Sequence, residues 1–281
     1  MTPKPTLLAL LAHPDDEAFG SGGTLAHYAT AGVTVALVCA TRGEVGQIAD
    51  PGLATPETLA EVREAELRCA AEALGLNEVI FLGYRDSGMA GTPENQDARA
   101  FMNAPVEAVI AQLVGLIRRL QPQVILTFDP TGGYGHPDHI MIHRSTMAAF
   151  GAAGDPARYP EQGPAWQPAR LFYPVLPRSL FRELYHQVES LGLDTTDFER
   201  FAERGEIGWP DEQVDVIRDV SQTVAAKRAA LQCHRTQFGP DNPFRKLPEA
   251  VIMAAMSREY FVLAHPQPVI GFTLPDLFAG L

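Results

Sequence analysis

The chain has 281 residues, of which 46% are apolar and 20% are charged, so a sizeable core is expected and wholesale disorder is excluded. Its formal net charge of −12, with no run of Lys and Arg, disfavours a nucleic-acid partner, because a phosphate backbone is bound by clustered cations. The apolar stretch 7–12 is too short to span a membrane and leads into acidic residues, so we expect a cytoplasmic protein without a membrane partner. The sequence leaves open whether the chain forms a homo-oligomer.

Strand-like apolar runs alternate with helix-like patterns over the first 176 residues. In chain order, the pattern predicts a strand at 6–12, a helix at 22–32, a strand at 33–40, a helix at 56–74, a strand at 78–82, a loop at 84–103, a helix at 106–120, a strand at 124–128, a helix at 137–150 and a strand at 171–176. This alternation predicts βαβ units, and therefore an α/β fold of the Rossmann-like, three-layer type with a mostly parallel sheet.

Beyond residue 150 the pattern weakens. Residues 151–169 are rich in Pro, Gly and Ala and are predicted to form a surface excursion. Helices are expected at 178–191 and 211–234, and a late strand at 260–264. We predict a single domain over 1–281, with a core at 1–176 and a less regular C-terminal extension at 177–281.

The three cysteines, Cys39, Cys69 and Cys233, are odd in number and widely spaced. This pattern argues against a disulfide framework or a thiolate metal site, so they are expected to be small buried hydrophobic residues. Four histidines lack a partner motif and are expected to serve as surface or packing residues: His27, His186, His234 and His265.

The motif AHPDDE follows the first predicted strand and contains His13, Asp15, Asp16 and Glu17. Ligands bind at the carboxyl ends of strands in open parallel sheets, so the motif lies where this fold carries its chemistry. Pro14 favours an extended His13, and a tight turn then brings His13 and Asp16 to one centre as candidate metal ligands. A dinucleotide site would need G-x-G-x-x-G here, and the acidic residues would repel a pyrophosphate.

The motif GGYGHPDH follows the fourth predicted strand. Its glycines indicate a flexible loop around Tyr134. His139 is a candidate third metal ligand, and the Asp138 carboxylate is expected to hydrogen-bond and orient the His136 ring. His143 lies one helical turn later and is expected to be a packed residue.

Together, AHPDDE at 12–17 and HPDH at 136–139 resemble the motifs of the LmbE-like, or PIG-L-like, zinc de-N-acetylase family. The resemblance covers roughly the first 150 residues well and the remainder loosely. The segments YRDSGMAGT and GGYGHPDH are most similar to the mycothiol-pathway branch, which includes the N-acetylglucosaminyl-inositol deacetylase and the mycothiol-conjugate amidase.

The resemblance implies a zinc cofactor, with Fe²⁺ as another divalent ion that suits the site. It implies His13, Asp16 and His139 as the metal ligands and Asp15 as the general base. Three protein ligands leave an open position for water, as a catalytic zinc site requires.

The resemblance also implies that Tyr134 and His136, paired with Asp138, assist the tetrahedral intermediate and the leaving amine. Either His136 or Asp15 is a candidate for protonating that amine. Three further residues match positions that are similar to substrate-hydroxyl contacts: Arg63, Asp86 and Ser87.

The expected function is removal of an N-acetyl or related acyl group from a small-molecule amino-sugar conjugate, such as N-acetylglucosaminyl-inositol or N-acetylglucosaminyl-malate. An amidase of mycothiol or bacillithiol conjugates stays open as an alternative. A non-catalytic, metal-containing sugar-binding protein is disfavoured by Asp15, since binding alone needs no base. A structural metal site would need a fourth protein ligand, for which His143 and Glu17 are the candidates.

Overall fold

A seven-stranded sheet is the middle layer of the protein in a computed structural model that describes residues 4–195, 208–239, 242, 247–268 and 271–281. In chain order the strands are β1 (Thr6–Leu11), β2 (Thr34–Cys39), β3 (Glu78–Phe81), β4 (Val124–Leu126), β5 (Arg170–Val175), β6 (Val216–Asp219) and β7 (Arg258–His265). Across the sheet their order is β3-β2-β1-β4-β5-β7-β6. The first five are parallel, whereas β7 is antiparallel to both β5 and β6, so the predicted mostly parallel α/β sheet is confirmed.

Helices cover both faces of the sheet. They are α1 (Asp16–Thr30), α2 (Leu59–Leu74), α3 (Val106–Leu120), α4 (Pro137–Ala153), α5 (Arg178–Ser190), α6 (Val224–Cys233) and α7 (Glu249–Met256). The predicted loop 84–103 contains two short 3₁₀ turns, Pro93–Gln96 and Phe101–Asn103. Within the described ranges, no helix is long and apolar enough to cross a membrane.

Strand β1 is buried on both faces, as expected for a central parallel strand. Leu7, Ala9 and Leu11 pack into one hydrophobic cluster with residues of α1, α2 and α6. Leu8 and Leu10 point the other way, into a cluster with residues of α3 and α4. Because successive side chains of a strand alternate between faces, this one apolar run builds both halves of the core.

Helix α1 begins at Asp16, whereas the sequence pattern placed its start at residue 22. The glycines that obscured the helical pattern lie inside α1, where other elements approach closely. A Cβ on Gly23 would lie 2.7 Å from Val220, and one on Gly22 would lie 3.3 Å from the Lys227 side chain. These glycines therefore let the C-terminal region pack on α1 at short range.

The helix predicted over 211–234 is wrong in its first half. The chain forms β6 there, at Val216–Asp219, and only then α6. The register pairs Val216 with Phe261 of β7, so the strand is stabilised by a sheet partner that lies far along the chain. A helix prediction made from the local sequence cannot anticipate that pairing.

A disulfide joins Cys69 of α2 to Cys233 of α6, with a Cα–Cα distance of 5.8 Å. The expectation that these two cysteines are unpaired hydrophobic residues is therefore wrong, because their separation of 164 residues concealed their contact in the fold. Cys39 is a free, buried cysteine, as expected. The bond fastens the C-terminal region to the helix that precedes β3.

Candidate metal centre

The two sequence motifs meet at the carboxyl edge of the sheet. His13 and Asp16 follow β1, and His136 and His139 lie at the start of α4, beyond β4. Strands β1 and β4 are parallel neighbours, so the segments that follow them leave the same edge of the sheet. The predicted convergence of the motifs is confirmed by a group of buried donors.

His13, Asp16 and His139 surround one point. His13 Nδ1 lies 3.1 Å from His139 Nε2, Asp16 Oδ1 lies 3.5 Å from His139 Nε2, and Asp16 Oδ2 lies 3.7 Å from His13 Nδ1. Ligands held tetrahedrally at about 2.0–2.1 Å from a zinc ion are separated by about 3.3 Å. The spacing and the chemistry of these donors therefore fit a divalent metal ion.

The remaining polar atoms of the three candidate ligands are held by neighbours. His13 Nε2 lies 3.1 Å from Asp138 Oδ2, and His139 Nδ1 lies 3.0 Å from the Gly132 carbonyl oxygen. Asp16 Oδ2 accepts a hydrogen bond of 2.7 Å from the His13 backbone N–H. Contacts of this kind fix the tautomer and orientation of metal-binding imidazoles. Burial raises the pKa of Asp16 to about 6, although His13 acts in the opposite direction.

Other donor sets lie in the same place. His13, His136 and His139 form one set, and His13, Asp86, His136 and Asp138 form another, with ligand atoms within 4.8 Å of each other. The donors of the second set are already engaged, because His13 Nε2 lies 3.1 Å from Asp138 and 3.5 Å from Asp86. In the set formed by His13, Asp16 and His139, the facing atoms His13 Nδ1 and His139 Nε2 lie 3.1 Å apart, and Asp16 Oδ1 lies 3.5 Å from His139 Nε2.

Neither of the two residues considered as a fourth ligand belongs to these sets. His143 Nδ1 lies 2.8 Å from the Phe128 carbonyl oxygen, so its interpretation as a packed residue is supported. Glu17 is buried and points its carboxylate at His234. The set formed by His13, Asp16 and His139 therefore keeps three protein donors, the composition of an open metal site, whereas the alternative set of His13, Asp86, His136 and Asp138 has four.

Asp15 lies beside the cluster in a strained backbone conformation. Its φ of 114° falls in the left-handed region, which is uncommon for a residue other than glycine. Its carboxylate Oδ2 accepts a hydrogen bond of 3.2 Å from Arg63 Nη2. Burial raises the pKa of Asp15 to about 6, and the Arg63 guanidinium acts in the opposite direction.

The expected hydrogen bond between the Asp138 carboxylate and the His136 ring is wrong. The Asp138 backbone N–H donates to His136 Nδ1 at 3.2 Å, whereas the carboxylate contacts His13 and Ser87. The local geometry is that of a helix N-terminus, in which His136 itself accepts the N–H of Asp138. Because Nδ1 accepts, the neutral His136 ring carries its proton on Nε2.

His136 is also expected to be neutral on electrostatic grounds. Burial lowers the pKa of His136 to about 3, and the nearby His13 and His139 rings act in the same direction. The sequence left His136 and Asp15 as alternative proton donors to the amine. These surroundings disfavour His136 in that role.

Ser87 does not face a substrate space. It is fully buried, its backbone N–H donates to Asp138 Oδ2 at 2.9 Å, and its hydroxyl donates to Asp138 Oδ1. The same hydroxyl accepts from the Met102 N–H at 2.9 Å. The expectation of a substrate contact at Ser87 is therefore corrected, because the side chain is committed to holding Asp138 behind His13.

Arg63 and Asp86 are buried as well. Arg63 donates to the carbonyl oxygens of Pro14 at 2.6 Å and Gly43 at 3.0 Å, in addition to Asp15. The Asp86 carboxylate lies 3.5 Å from His13 Nε2, and this contact lowers the pKa of Asp86 although burial acts in the opposite direction. Arg63 therefore holds the turn that carries Asp15, and Asp86 belongs to the polar wall of the cluster.

Tyr134 is the exposed member of the group, with 67% of its surface accessible. Its ring centroid lies 5.1 Å from that of His139 and 6.2 Å from that of His136. Gly132 and Gly133 precede it with φ values of 68° and 74°. The predicted glycine loop therefore presents the tyrosine ring over the candidate metal site.

Two supporting contacts from the C-terminal region were not foreseen. His234 Nε2 lies 2.6 Å from Glu17 Oε1, and Trp209 Nε1 donates to Asp129 Oδ2 at 3.1 Å. Asp129 in turn accepts from Thr131 at the start of the glycine loop. Of the two alternatives expected for His234, a surface or a packing residue, the structure supports the packing residue, since His234 is fully buried against Glu17. The only feature of the sequence that could have pointed to these contacts was the presence of titratable residues outside any motif.

Residues 8–150 match the family described as PIG-L: GlcNAc-PI de-N-acetylase. A relative from Geodermatophilus obscurus, 1D-myo-inositol 2-acetamido-2-deoxy-alpha-D-glucopyranoside deacetylase, is 40% identical and aligns over 100% of this chain and 99% of its own. The N,N'-diacetylchitobiose deacetylase of Pyrococcus horikoshii has a similar fold, with a TM-score of 0.65 at 21% identity, covering 94% of this chain and 86% of that one. The 4-carboxy-2-hydroxymuconate hydratase GalB of Pseudomonas putida KT2440 shares the fold too, with a TM-score of 0.60 at 17% identity, covering 94% and 98%.

Proposed function

Because the chain belongs to the PIG-L (GlcNAc-PI de-N-acetylase) family, we propose that it is a zinc-dependent hydrolase that removes the acetyl group from an N-acetylglucosaminyl-inositol. The substrate is supported by the full-length similarity to deacetylases named for 1D-myo-inositol 2-acetamido-2-deoxy-alpha-D-glucopyranoside. Fold alone would not choose this reaction, since a hydratase shares it.

The observation that carries the proposal is the arrangement of Asp15 next to His13, Asp16 and His139. Two imidazoles and one carboxylate lie at tetrahedral spacing, and a second carboxylate stands beside them without belonging to the set. Zinc suits this donor set, and when bound there it would supply Lewis acidity toward water and an amide carbonyl.

Asp15 is proposed as the general base. It accepts a proton from the attacking water as the oxygen of that water bonds to the acetyl carbon. The same carboxyl group then delivers the proton to the sugar nitrogen as the C–N bond breaks, which releases acetate and the free amine. The contact between Asp15 and Arg63 supports this assignment, because it holds the carboxylate in place.

His136 and Tyr134 are proposed as hydrogen-bond donors to the oxyanion of the tetrahedral intermediate. His136 is suited to donate from Nε2, since its Nδ1 accepts the Asp138 N–H. The Tyr134 ring stands on the exposed loop above the site. In an enclosed active site, removal of one such donor lowers kcat by about 10²–10³-fold.

The test is release of amine from a panel of amides by zinc-loaded and chelated protein. The panel contains N-acetylglucosaminyl-inositol, N-acetylglucosaminyl-malate, N-acetylglucosamine and a mycothiol conjugate. We expect the first to be hydrolysed fastest, with activity lost on chelation and restored by zinc. Preference for the thiol conjugate would move the assignment to the amidase alternative, and no hydrolysis of any member would overturn the proposal.

Asp15→Asn is the matched variant, because asparagine keeps the shape of the side chain and tolerates a positive φ. We expect kcat to fall by about 10²–10⁴-fold. Zinc content, measured by atomic absorption, is expected to stay at the wild-type level. Loss of zinc from this variant would make Asp15 a ligand rather than the base.

A further inference from the structure

We propose that His234 is a positioning residue for Asp15, acting through the buried Glu17 carboxylate that bridges the two. The role of Asp15 as the base rests on the proposed function, whereas the link from His234 through Glu17 to Asp15 rests on geometry. It assigns a part in the reaction to a C-terminal residue that lies outside both sequence motifs.

The first link is the contact between His234 and Glu17. The two atoms His234 Nε2 and Glu17 Oε1 are 2.6 Å apart, and neither side chain has any exposed surface. A buried carboxylate is strongly unfavourable unless it is paired. Burial lowers the pKa of His234, but the Glu17 carboxylate acts in the opposite direction and the net shift is upward.

The second link joins Glu17 to Asp15. Glu17 Oε2 accepts a hydrogen bond of 3.0 Å from the Asp15 backbone N–H. That N–H belongs to the residue with φ 114°, a conformation that persists only when neighbouring contacts stabilise it. The carboxylate therefore uses one oxygen for His234 and the other for the strained peptide of the proposed base.

The C-terminal segment that carries His234 is itself fastened to α2. Cys233 is bonded to Cys69, and Thr236 donates to Glu66 from its N–H at 2.8 Å and from its hydroxyl at 2.6 Å. Helix α2 also carries Arg63, which grips the Asp15 carboxylate from the other side. These contacts restrain the position of His234, so the Glu17 carboxylate is bound to a rigidly held partner.

A pair of amide substitutions separates the hydrogen bond from the bulk of the ring. In His234→Gln the amide nitrogen occupies the place of Nε2 and reaches Glu17, whereas in His234→Asn it occupies the place of Nδ1 and does not. Among the described residues, Nδ1 of His234 has no hydrogen-bond partner, so only the Nε2 contact has to be reproduced. Thr236→Val is the matched control, because it removes a hydrogen bond that fastens the same segment but does not reach Asp15.

The first readout is steady-state kinetics on the substrate that the wild-type protein hydrolyses. We expect His234→Asn to lower kcat by about 10–100-fold, as misplacement of a catalytic group does, with KM and zinc content near wild type. His234→Gln should recover most of kcat, and Thr236→Val should keep it. Equal kcat values for the Asn and Gln variants would overturn the proposal, as would an equal loss in Thr236→Val.

The second readout does not need activity. Hydrogen exchange of the Asp15 amide, followed by NMR, reports whether its N–H is still held by Glu17. We expect faster exchange in His234→Asn than in His234→Gln, and unchanged exchange in Thr236→Val. If the wild-type protein hydrolyses nothing, the proposed function fails, but this comparison still tests whether His234 acts on the Asp15 amide through Glu17. Equal exchange rates in the Asn and Gln variants would contradict that link.

Discussion

At the scale of single residues, Gly132 sets the position of His139, a candidate metal ligand. Its φ is 68°, its carbonyl oxygen holds His139 Nδ1, and a Cβ at this position would lie 2.8 Å from the Cβ of His139. The neighbouring Gly133 has a φ of 74°, yet a Cβ there would meet no atom within 4 Å. The two glycines therefore share a backbone requirement and differ in packing.

We predict that Gly132→Ala weakens zinc binding by tenfold or more, because the added methyl group pushes on the ligand and on the carbonyl that orients it, and contacts of this kind are worth about 10–100-fold in affinity. Gly133→Ala is the control, since it carries backbone strain of about 1–3 kcal/mol without that clash. Zinc affinity is measured by competition with a chromogenic chelator. Equal affinities for the two variants would show that the close approach to His139 has no effect.

Ser87 is a second residue whose effect is exerted through another side chain. We predict that Ser87→Ala lowers zinc affinity by about tenfold, because Asp138 loses a donor and orients His13 less firmly. Isothermal titration with zinc checks this, and Ser179→Ala in the half-buried first turn of α5 serves as a control for serine removal. If Ser87 instead contacted substrate, its variant would raise KM and leave zinc affinity unchanged.

At the scale of elements, α6 connects the C-terminal region to the site. It packs against α1 and α2, its Lys227 pairs with Glu259 of β7 at 2.6 Å, and its last residue forms the disulfide with α2. These contacts come from three separate parts of the chain. They converge on the helix whose end presents His234 to Glu17.

We predict that removing the disulfide by Cys69→Ser with Cys233→Ser lowers the free energy of unfolding by about 2–5 kcal/mol, because the bond closes a long loop of the unfolded chain. Urea unfolding with and without reductant measures this. The reductant should destabilise the wild type and Cys39→Ala, but not the double variant. Equal stability in all conditions would mean that the bond does not form in solution.

The state of the same cysteine pair can be read directly. Denatured, unreduced protein is expected to expose one free thiol, that of Cys39, and reduced protein three. Disulfides are rare in the cytosol, so a thiol count on protein trapped in cells also tests the cytoplasmic location expected from the sequence.

At the scale of the whole molecule, the division into a core at 1–176 and an extension at 177–281 stays a prediction. Strand β7 pairs with β5 along five residue pairs, and β6 completes the sheet beyond it. The C-terminal region therefore continues the same sheet and supplies the partner of the buried Glu17. We infer that the extension folds together with the core.

We predict that the full chain unfolds in one cooperative transition and that a chain ending at residue 176 does not fold, because it would expose the β5 edge and leave the buried Glu17 carboxylate without its partner His234. Differential scanning calorimetry and near-ultraviolet circular dichroism measure both. A cooperative transition with native-like aromatic signals in the short chain would show that the core is an independent domain.

Local patterns were sufficient to predict the order of strands and helices over the first 176 residues, although they placed the start of α1 six residues too late. A parallel strand buried on both faces must be apolar throughout, so β1, β2 and β4 are visible as short runs. The first motif directly follows β1 and the second lies in the segment after β4, and parallel strands release such segments at one edge. The convergence of His13, Asp16 and His139 therefore followed from the sequence together with the resemblance.

What depended on contacts between distant segments was decided only by the tertiary structure. Three contacts are of this kind: the pairing of β6 with β7, the disulfide and the His234–Glu17 contact. Each joins residues whose pairing no sequence pattern indicates. The partner of Asp138 was misassigned for the same reason, because its neighbour in sequence, His136, is not the ring that its carboxylate meets. Sequence determines which groups are available and where each strand delivers them, whereas packing determines which buried polar atoms have to satisfy one another.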